Sequence, residues 1–324
     1  MVLKVRANLR NWHCKMASLA KINLSTASSP DPSLAAEKQQ SLLARLATLD
    51  SLLVALSGGA DSAYLAWAAN RALGERALSV TALSASFSAH DRQQTENFVL
   101  HSGIRHEFVH TGELENPLYV ANNSDRCYFC KAELFTELGR MAERRGFDAL
   151  AYGINADDVQ DFRPGHRAAS EHEVLAPLLD AGLCKDEIRA LSRQAGLPTW
   201  DRPASACLAS RIPYGTSVTR ETLARVEAGE SVLRELGFRQ FRVRYYGSHA
   251  RVEIDCSELA RAFQPEVLML IEERLARVGF SSVFVDPEGY RQGSLNQELA
   301  GRNQPSQNED WRARIPPTPA VNQT

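Results

Sequence analysis

Residues 51–74 read SLLVALSGGADSAYLAWAANRALG: a short apolar run, a Ser-Gly-Gly turn, then helical spacing. The run reads as a strand and the turn as its exit into a helix. Gly58 and Gly59 let the backbone turn tightly and bring its amides close to a ligand. Ser57, Asp61 and Ser62 then stand at the mouth of the helix, whose unpaired N–H groups and positive dipole end favour an anion. There is no Gly-Lys-Ser or Gly-Lys-Thr, so a phosphate site here is built without a P-loop lysine. The plainer alternative is an ordinary Gly-Gly turn with an N-cap. Ser-Gly-Gly-x-Asp-Ser directly after an apolar strand is more particular than that alternative requires.

The same alternation continues along the chain. ALSVTALSASF (77–87), HEFVHT (106–111) and DALAYG (148–153) read as strands. DRQQTENFVLHSG (91–103) and KAELFTELGRMAERRG (131–146) read as helices ending at glycine. Short apolar runs separated by amphipathic helices predict an α/β fold, a parallel sheet with helices on both faces. Ligands of such sheets bind beyond the carboxyl ends of the strands. The length suits two domains: a sheet domain over 38–215 and a small α+β domain over 216–297.

The ends differ from this middle. Residues 1–30 carry Lys4, Arg6, Arg10, Lys15 and Lys21 but no acidic residue. That bias resembles a transit peptide, although no apolar core for secretion follows. Residues 1–37 are expected to be a disordered extension or the product of an early start, with Met16 as the alternative. Residues 298–324, rich in Pro, Asn and Gln, are expected to be disordered.

A net charge of −2 gives no broad basic surface, which argues against bulk nucleic-acid binding. No apolar run approaches the roughly 20 residues of a membrane helix. Six cysteines in 324 residues are too few for a disulfide scaffold and suit a reducing, cytoplasmic compartment. There, the pair Cys127 and Cys130 in SDRCYFCK points to metal or redox chemistry.

Ser57-Gly58-Gly59-Ala60-Asp61-Ser62 resembles the pyrophosphate loop of the PP-loop ATP pyrophosphatases, the adenine nucleotide alpha hydrolase-like fold. That resemblance implies cleavage of ATP between its α and β phosphates. EVLAPLLDAGLCKDEIRALSRQAGLP (173–198) resembles the segment closing such domains, with a helix starting near Lys185. WDRPASACLASRIPYGTSVT (200–219), RCYFCK, GINADDVQDFRPG (153–165), FRVRYYGSHARVEI (241–254) and DPEGYRQGSLN (286–296) together resemble the LarE family. Its members are ATP-dependent sulfurtransferases that build the nickel-pincer nucleotide of lactate racemase. The resemblance spans about residues 40–297.

What the family does then maps onto residues of this chain. Cys207, in Cys-Leu-Ala-Ser-Arg, is the sulfur-handling position. One branch has that cysteine alone and gives up its own sulfur, leaving dehydroalanine. Another adds two cysteines where this chain has Cys127 and Cys130, and the chain resembles that branch. Three thiolates can hold three irons of a 4Fe-4S cluster and leave the fourth open to an extra sulfide. A dithiol cycling with Cys207 through a disulfide or persulfide is the competing reading. Zinc would want a fourth ligand that the spacing does not provide. Cys14, Cys184 and Cys256 read as free thiols, and His166 and His172 as surface residues.

Asp157 and Asp158, after a strand, are candidates for holding Mg²⁺ against ATP; a capping Asn-Asp loop at Asn155 is the alternative. Arg211, Arg242 and Arg244 are candidates for gripping an acceptor's carboxylate or phosphate. The two on the FRVRYY strand equally fit its solvent face. The expected reaction is adenylation of a carboxylate of a pyridinium biscarboxylate mononucleotide, then displacement of AMP by sulfur. The resemblance further implies a homo-oligomer, sulfide or another sulfur donor, and hand-over to a nickel-inserting enzyme. A tRNA thiolase would use the same activation, but no basic or zinc-ribbon module for tRNA is present. An ATP-binding regulatory domain without turnover is the third reading.

Overall fold

The computed structural model describes residues 31–160, 164–203, 206–291, 293 and 295. The expectations for residues 1–30 and 298–324 lie outside these residues. Residues 32–37, expected to belong to the extension, instead open helix α1 (Pro32–Ala47). Asp31 caps it by accepting from the Ser33 amide, and Pro32 fits a first-turn position.

Strand β1 (Leu52–Ala55) is buried at all four positions. Its side chains alternate between two cores, as the period of a strand demands. Leu52 and Val54 join Tyr64, Leu65, Phe98, Ile188 and Leu191 on one face, while Leu53 and Ala55 join Phe135, Leu138 and Met141 on the other. Helices α2 (Ala60–Leu73), α3 (Ala89–Ser102), α4 (Arg126–Arg145) and α6 (Lys185–Gln194) supply these contacts; α5 (Pro164–Glu171) packs on α4. Helices on both faces of the sheet are therefore present as the sequence pattern predicts.

Strands β2 (Ala77–Leu83), β3 (His106–His110) and β4 (Ala149–Tyr152) complete a four-stranded parallel sheet in the order β3-β2-β1-β4. The chain steps outward from β1 through β2 to β3, then returns to the other side of β1. The direction of winding thus switches between β1 and β4, where the crevice of an open parallel sheet forms. The short segment after α5 adds only a bridge from Leu175 to Ala151 before α6.

After the sheet, α7 (Arg220–Glu235) and α8 (Pro265–Val278) cover a three-stranded sheet of β5 (Phe241–Tyr246), β6 (His249–Ile254) and β7 (Ser282–Val285). The β5–β6 pair is an antiparallel hairpin, and β7 runs parallel to β6. Leu233, Val243, Val252, Ile271, Leu275 and Phe280 form its core. A further apolar cluster of Tyr119, Leu208, Ile212, Val218, Leu223 and Val226 joins this smaller unit to the large sheet's loops. Among the described residues no helix is long and apolar enough to cross a membrane.

Candidate active site

The loop after β1 closes on itself through two serines. The Ser57 amide donates to Ser62 Oγ at 3.1 Å, the two hydroxyls lie 2.9 Å apart, and Ser62 Oγ donates to the Gly59 carbonyl. Gly58 has φ +78, and a Cβ there would fall 2.7 Å from Thr95 Oγ1, so glycine is required twice over. Gly153, just past β4, is equally constrained: a Cβ would meet the Ser62 backbone at 2.7 Å. That close approach sets the end of β4 against the mouth of α2 at the switch between β1 and β4.

Asp61 faces this crevice. Its Oδ1 is buried and has no hydrogen-bond partner. Burial raises its pKa and Asp158 adds to this, while Lys185, Asn155 and Arg189 pull the other way. A buried carboxylate with an orphan oxygen is costly unless a ligand or cation completes it. Asn155 is buried, and its Oδ1 accepts from the amides of Asp157 and Asp158. Asp157 Oδ2 accepts from the Lys185 amide at 2.7 Å, so this carboxylate serves the start of α6. Asp158 is the one of the pair that acts on Asp61.

The cysteine pair lies at the start of a helix, not before it. α4 begins at Arg126 rather than 131, which puts Cys127 and Cys130 three apart on its first turn. Cys127 is exposed, whereas Cys130 and Cys207 are half-buried beside the Tyr119–Leu208–Val226 cluster. The Cys130 thiol donates to Glu113 Oε1 at 3.7 Å. Burial, then the Glu113 carboxylate and Cys207, push that thiol well up.

Two residues fasten the cysteine segments together. Arg126 is buried, and its Nη1 donates to Asn122 Oδ1 at 2.5 Å and to the Ala209 carbonyl at 2.8 Å. Asn122 Nδ2 donates to the carbonyls of Ile212, Pro213 and Thr216. Burial works against the Arg126 charge, but Cys207, Cys127, Tyr119 and Tyr214 more than offset it and hold its pKa above the usual value. All three cysteines therefore border one region. Among the described residues no group of three or more Cys, His, Asp or Glu stands in a metal-holding arrangement. Cys130 would have to exchange Glu113 for iron to join one.

Arg211 and Arg244 bond to carbonyls of the Cys207 loop, and all three arginines are engaged. Arg211 forms a buried two-pronged pair with Glu230, at 2.8 and 3.0 Å, and donates to the Cys207 and Ala206 carbonyls. Arg244 pairs with the fully buried Glu253 and donates to the Ser210 carbonyl at 2.8 Å. Arg242 is buried near Tyr290, and burial together with neighbouring Arg211 lowers its pKa to about 10. FRVRYY is thus not a solvent face: both arginines point into the join between the two units. Arg211 and Arg244 hold the Cys207 loop through its carbonyls, and each is ion-paired with a carboxylate of this chain.

Asn122, Arg126, Glu113, Arg202 and Glu230 join the site only in the folded chain. Arg126 and Arg202 were visible inside the motifs RCYFCK and WDRPASAC, yet only their partners reveal their work. Asn122 carries a subtler signal, its φ of +55, which asparagine tolerates better than most residues.

A four-stranded parallel sheet flanked by helices, with a glycine-rich loop at its switch point, defines an α/β protein of the PP-loop type. The comparisons with known proteins narrow this. No family model matches the chain. It is 41% identical over 251 residues to an uncharacterized protein of Synechocystis, covering 78% of this chain and 94% of the relative. It is 32% identical over 267 residues to pyridinium-3,5-bisthiocarboxylic acid mononucleotide synthase of Lactiplantibacillus plantarum, covering 82% and 95%. An uncharacterized protein of Methanocaldococcus jannaschii matches at 28% over 53% of the chain and 66% of the relative. The chain belongs to the LarE family, that of pyridinium-3,5-bisthiocarboxylic acid mononucleotide synthase.

Proposed function

We propose that this protein is an ATP-dependent sulfurtransferase that replaces carboxylate oxygen by sulfur in pyridinium-3,5-biscarboxylic acid mononucleotide. The Lactiplantibacillus relative is named for making the bisthiocarboxylic acid product, and the family match supports carrying that chemistry here. A substrate carboxylate oxygen attacks the α phosphorus of ATP, and pyrophosphate leaves. Amides at the start of α2, with Ser57 and Ser62, receive the phosphates. Asp61 and Asp158 face the place where Mg²⁺ would neutralise them. Sulfide, received beside Cys207, then attacks the activated carbonyl. The C–S bond forms as the C–O bond to AMP breaks, and AMP leaves with one of the original carboxylate oxygens, freeing the thiocarboxylate. Two rounds give the bisthiocarboxylate, which passes to a nickel-inserting enzyme.

Cys127, Cys130 and Cys207 would hold three irons of a 4Fe-4S cluster, which when bound supplies sulfide from its fourth iron. Arg126 keeps the segments of these cysteines in register, and Arg211 and Arg244 fix the carbonyls around Cys207. The observation that carries the reading is the Arg126–Ala209 bond, which draws the paired cysteines to Cys207 in a chain of this family.

The test is anaerobic turnover with ATP, Mg²⁺, the biscarboxylic acid mononucleotide and sulfide. Pyrophosphate and AMP should form in equal amounts, with one oxygen-for-sulfur exchange per ATP in the nucleotide's mass. Pyrophosphate release indifferent to the nucleotide, or no sulfur in the product, overturns it.

A further inference from the structure

The anion loop lacks a lysine, yet a cation stands over it from elsewhere in the chain. Arg202 Nη1 donates to the Gly58 carbonyl and its Nη2 to Asp91 Oδ1, both at 2.6 Å. The same Nη1 lies 3.3 Å from where a Cβ on Gly58 would be. The two bonds occupy part of the guanidinium and leave further N–H donors on the same fork. Arg202 and Asp91 side chains are only 13% and 18% exposed, so this charge is largely desolvated. Burial pulls the Arg202 pKa down from the ordinary value, with Asp91 opposing.

The base of the side chain is fixed independently of its tip. Arg189, on α6, donates to the carbonyls of Trp200 and Arg202 at 2.9 and 2.6 Å. The Arg202 amide donates to the Thr199 carbonyl. The backbone is thereby anchored next to the crevice that Asp61, Lys185 and Arg189 share. Asp91 in turn accepts from Ser88, the residue capping α3. A lone carboxylate and one carbonyl are a weaker match for a planar fork than the oxygens of a polyphosphate.

We propose that Arg202 is the phosphate-gripping cation of this site: Gly58 and Asp91 park its guanidinium, and the β and γ phosphates of ATP, later pyrophosphate, take over its donors. This deepens the ATP reading of the loop and rests on it. It supplies the charge that the lysine-free loop lacks. It also places the pyrophosphate on the segment that leads, five positions on, to Cys207. A grip of this kind is made to the leaving group, not to the adenosine or its α phosphate.

Calorimetric titration of the full chain with magnesium pyrophosphate, and separately with AMP, tests it. Arg202→Gln should weaken pyrophosphate binding about 10-fold or more, the scale of lost charge-assisted hydrogen bonds, and leave AMP binding within about 2-fold. Arg202→Lys, which keeps the charge but not the fork, should fall between. Asp91→Asn frees the guanidinium from its competing carboxylate and should bind pyrophosphate as tightly as wild type or more tightly. Equal loss of pyrophosphate and AMP binding in Arg202→Gln would mean a buttress for the Gly58 turn and overturns the proposal. So does wild-type pyrophosphate affinity in that variant, or a loss in Asp91→Asn matching that in Arg202→Gln. If wild type itself binds no pyrophosphate, the ATP reading of the loop falls first and this inference with it.

Discussion

Arg126 Nη1 donates to the carbonyl of Ala209 at 2.8 Å, so the residue before Cys127 is bonded to the second residue after Cys207. One buried guanidinium thereby sets how close the cysteine segments lie. Arg126→Gln removes these charge-assisted bonds and leaves Asn122 Oδ1 and Ala209 O short of a donor. It should cost about 2–4 kcal/mol by chemical denaturation. Pyrophosphate release should persist while sulfur incorporation falls steeply. Equal losses in both would place Arg126 outside the sulfur step.

Asp61→Asn should nearly abolish pyrophosphate release without harming the fold. The carboxylate carries an orphan buried oxygen and faces Asp158, so a neutral amide removes an unfavourable charge. Thermal melting should therefore hold or rise, by about 1 kcal/mol in stability. Wild-type release by this variant would take ATP away from the loop.

Glu230 accepts two bonds from Arg211 and a third from the Val243 amide at 3.2 Å, all within a buried site. Glu230→Gln leaves a buried guanidinium without its counter-charge, which costs about 3–5 kcal/mol. Denaturant melts of the variant should show that loss. A cost below about 1 kcal/mol would mean that Arg211 is readily satisfied by another anion, as an acceptor-binding arginine would be.

Cys127→Ser, Cys130→Ser and Cys207→Ser should each lower the iron bound after anaerobic reconstitution, because a hydroxyl is a poor exchange for a soft thiolate. Cys184→Ser and Cys256→Ser should not. Intact mass after turnover separates the sulfur sources: dehydroalanine at Cys207 would assign the donated sulfur to the cysteine itself and sink delivery through a cluster.

His106 supplies a pH dependence with a definite sign. The Thr81 hydroxyl gives its hydrogen to the Leu56 carbonyl at 2.7 Å, so His106 Nε2–H donates to Thr81 Oγ1 at 2.9 Å. Burial lowers this imidazole from 6.5 to about 4, against the opposing pull of Glu107 and Glu96. As pH falls from 6.5 toward 4, the unfolded chain takes up a proton that the native chain refuses, and stability is lost over that window. His106→Gln, which keeps a donor to Thr81, should show a flatter decline in melting temperature between those pH values. An unchanged slope would mean that His106 is not the group responsible.

The sequence alone determined the sheet, the turn and the family. Leu52 to Ala55 had to be buried on two faces because the run is apolar throughout and helices flank it on both sides. Ser57-Gly58-Gly59 was legible because a φ of +78 and close backbone approach leave glycine a nearly unique local answer. What side chains do once buried was not legible. Arg211, Arg242 and Arg244 read as possible ligand clamps, because a guanidinium looks the same in sequence whether it meets a substrate or Glu230 and Glu253. Those carboxylates lie 19 and 9 residues from Arg211 and Arg244 respectively, on other elements: packing α7 against the Cys207 loop joins Glu230 to Arg211, and the β5–β6 register sets Glu253 diagonally across from Arg244. The start of α4 at Arg126, and with it the shared face of Cys127 and Cys130, was likewise decided by tertiary structure. Arg126 has its acceptor 83 positions away, and that buried bond outweighs any local signal for where the helix begins.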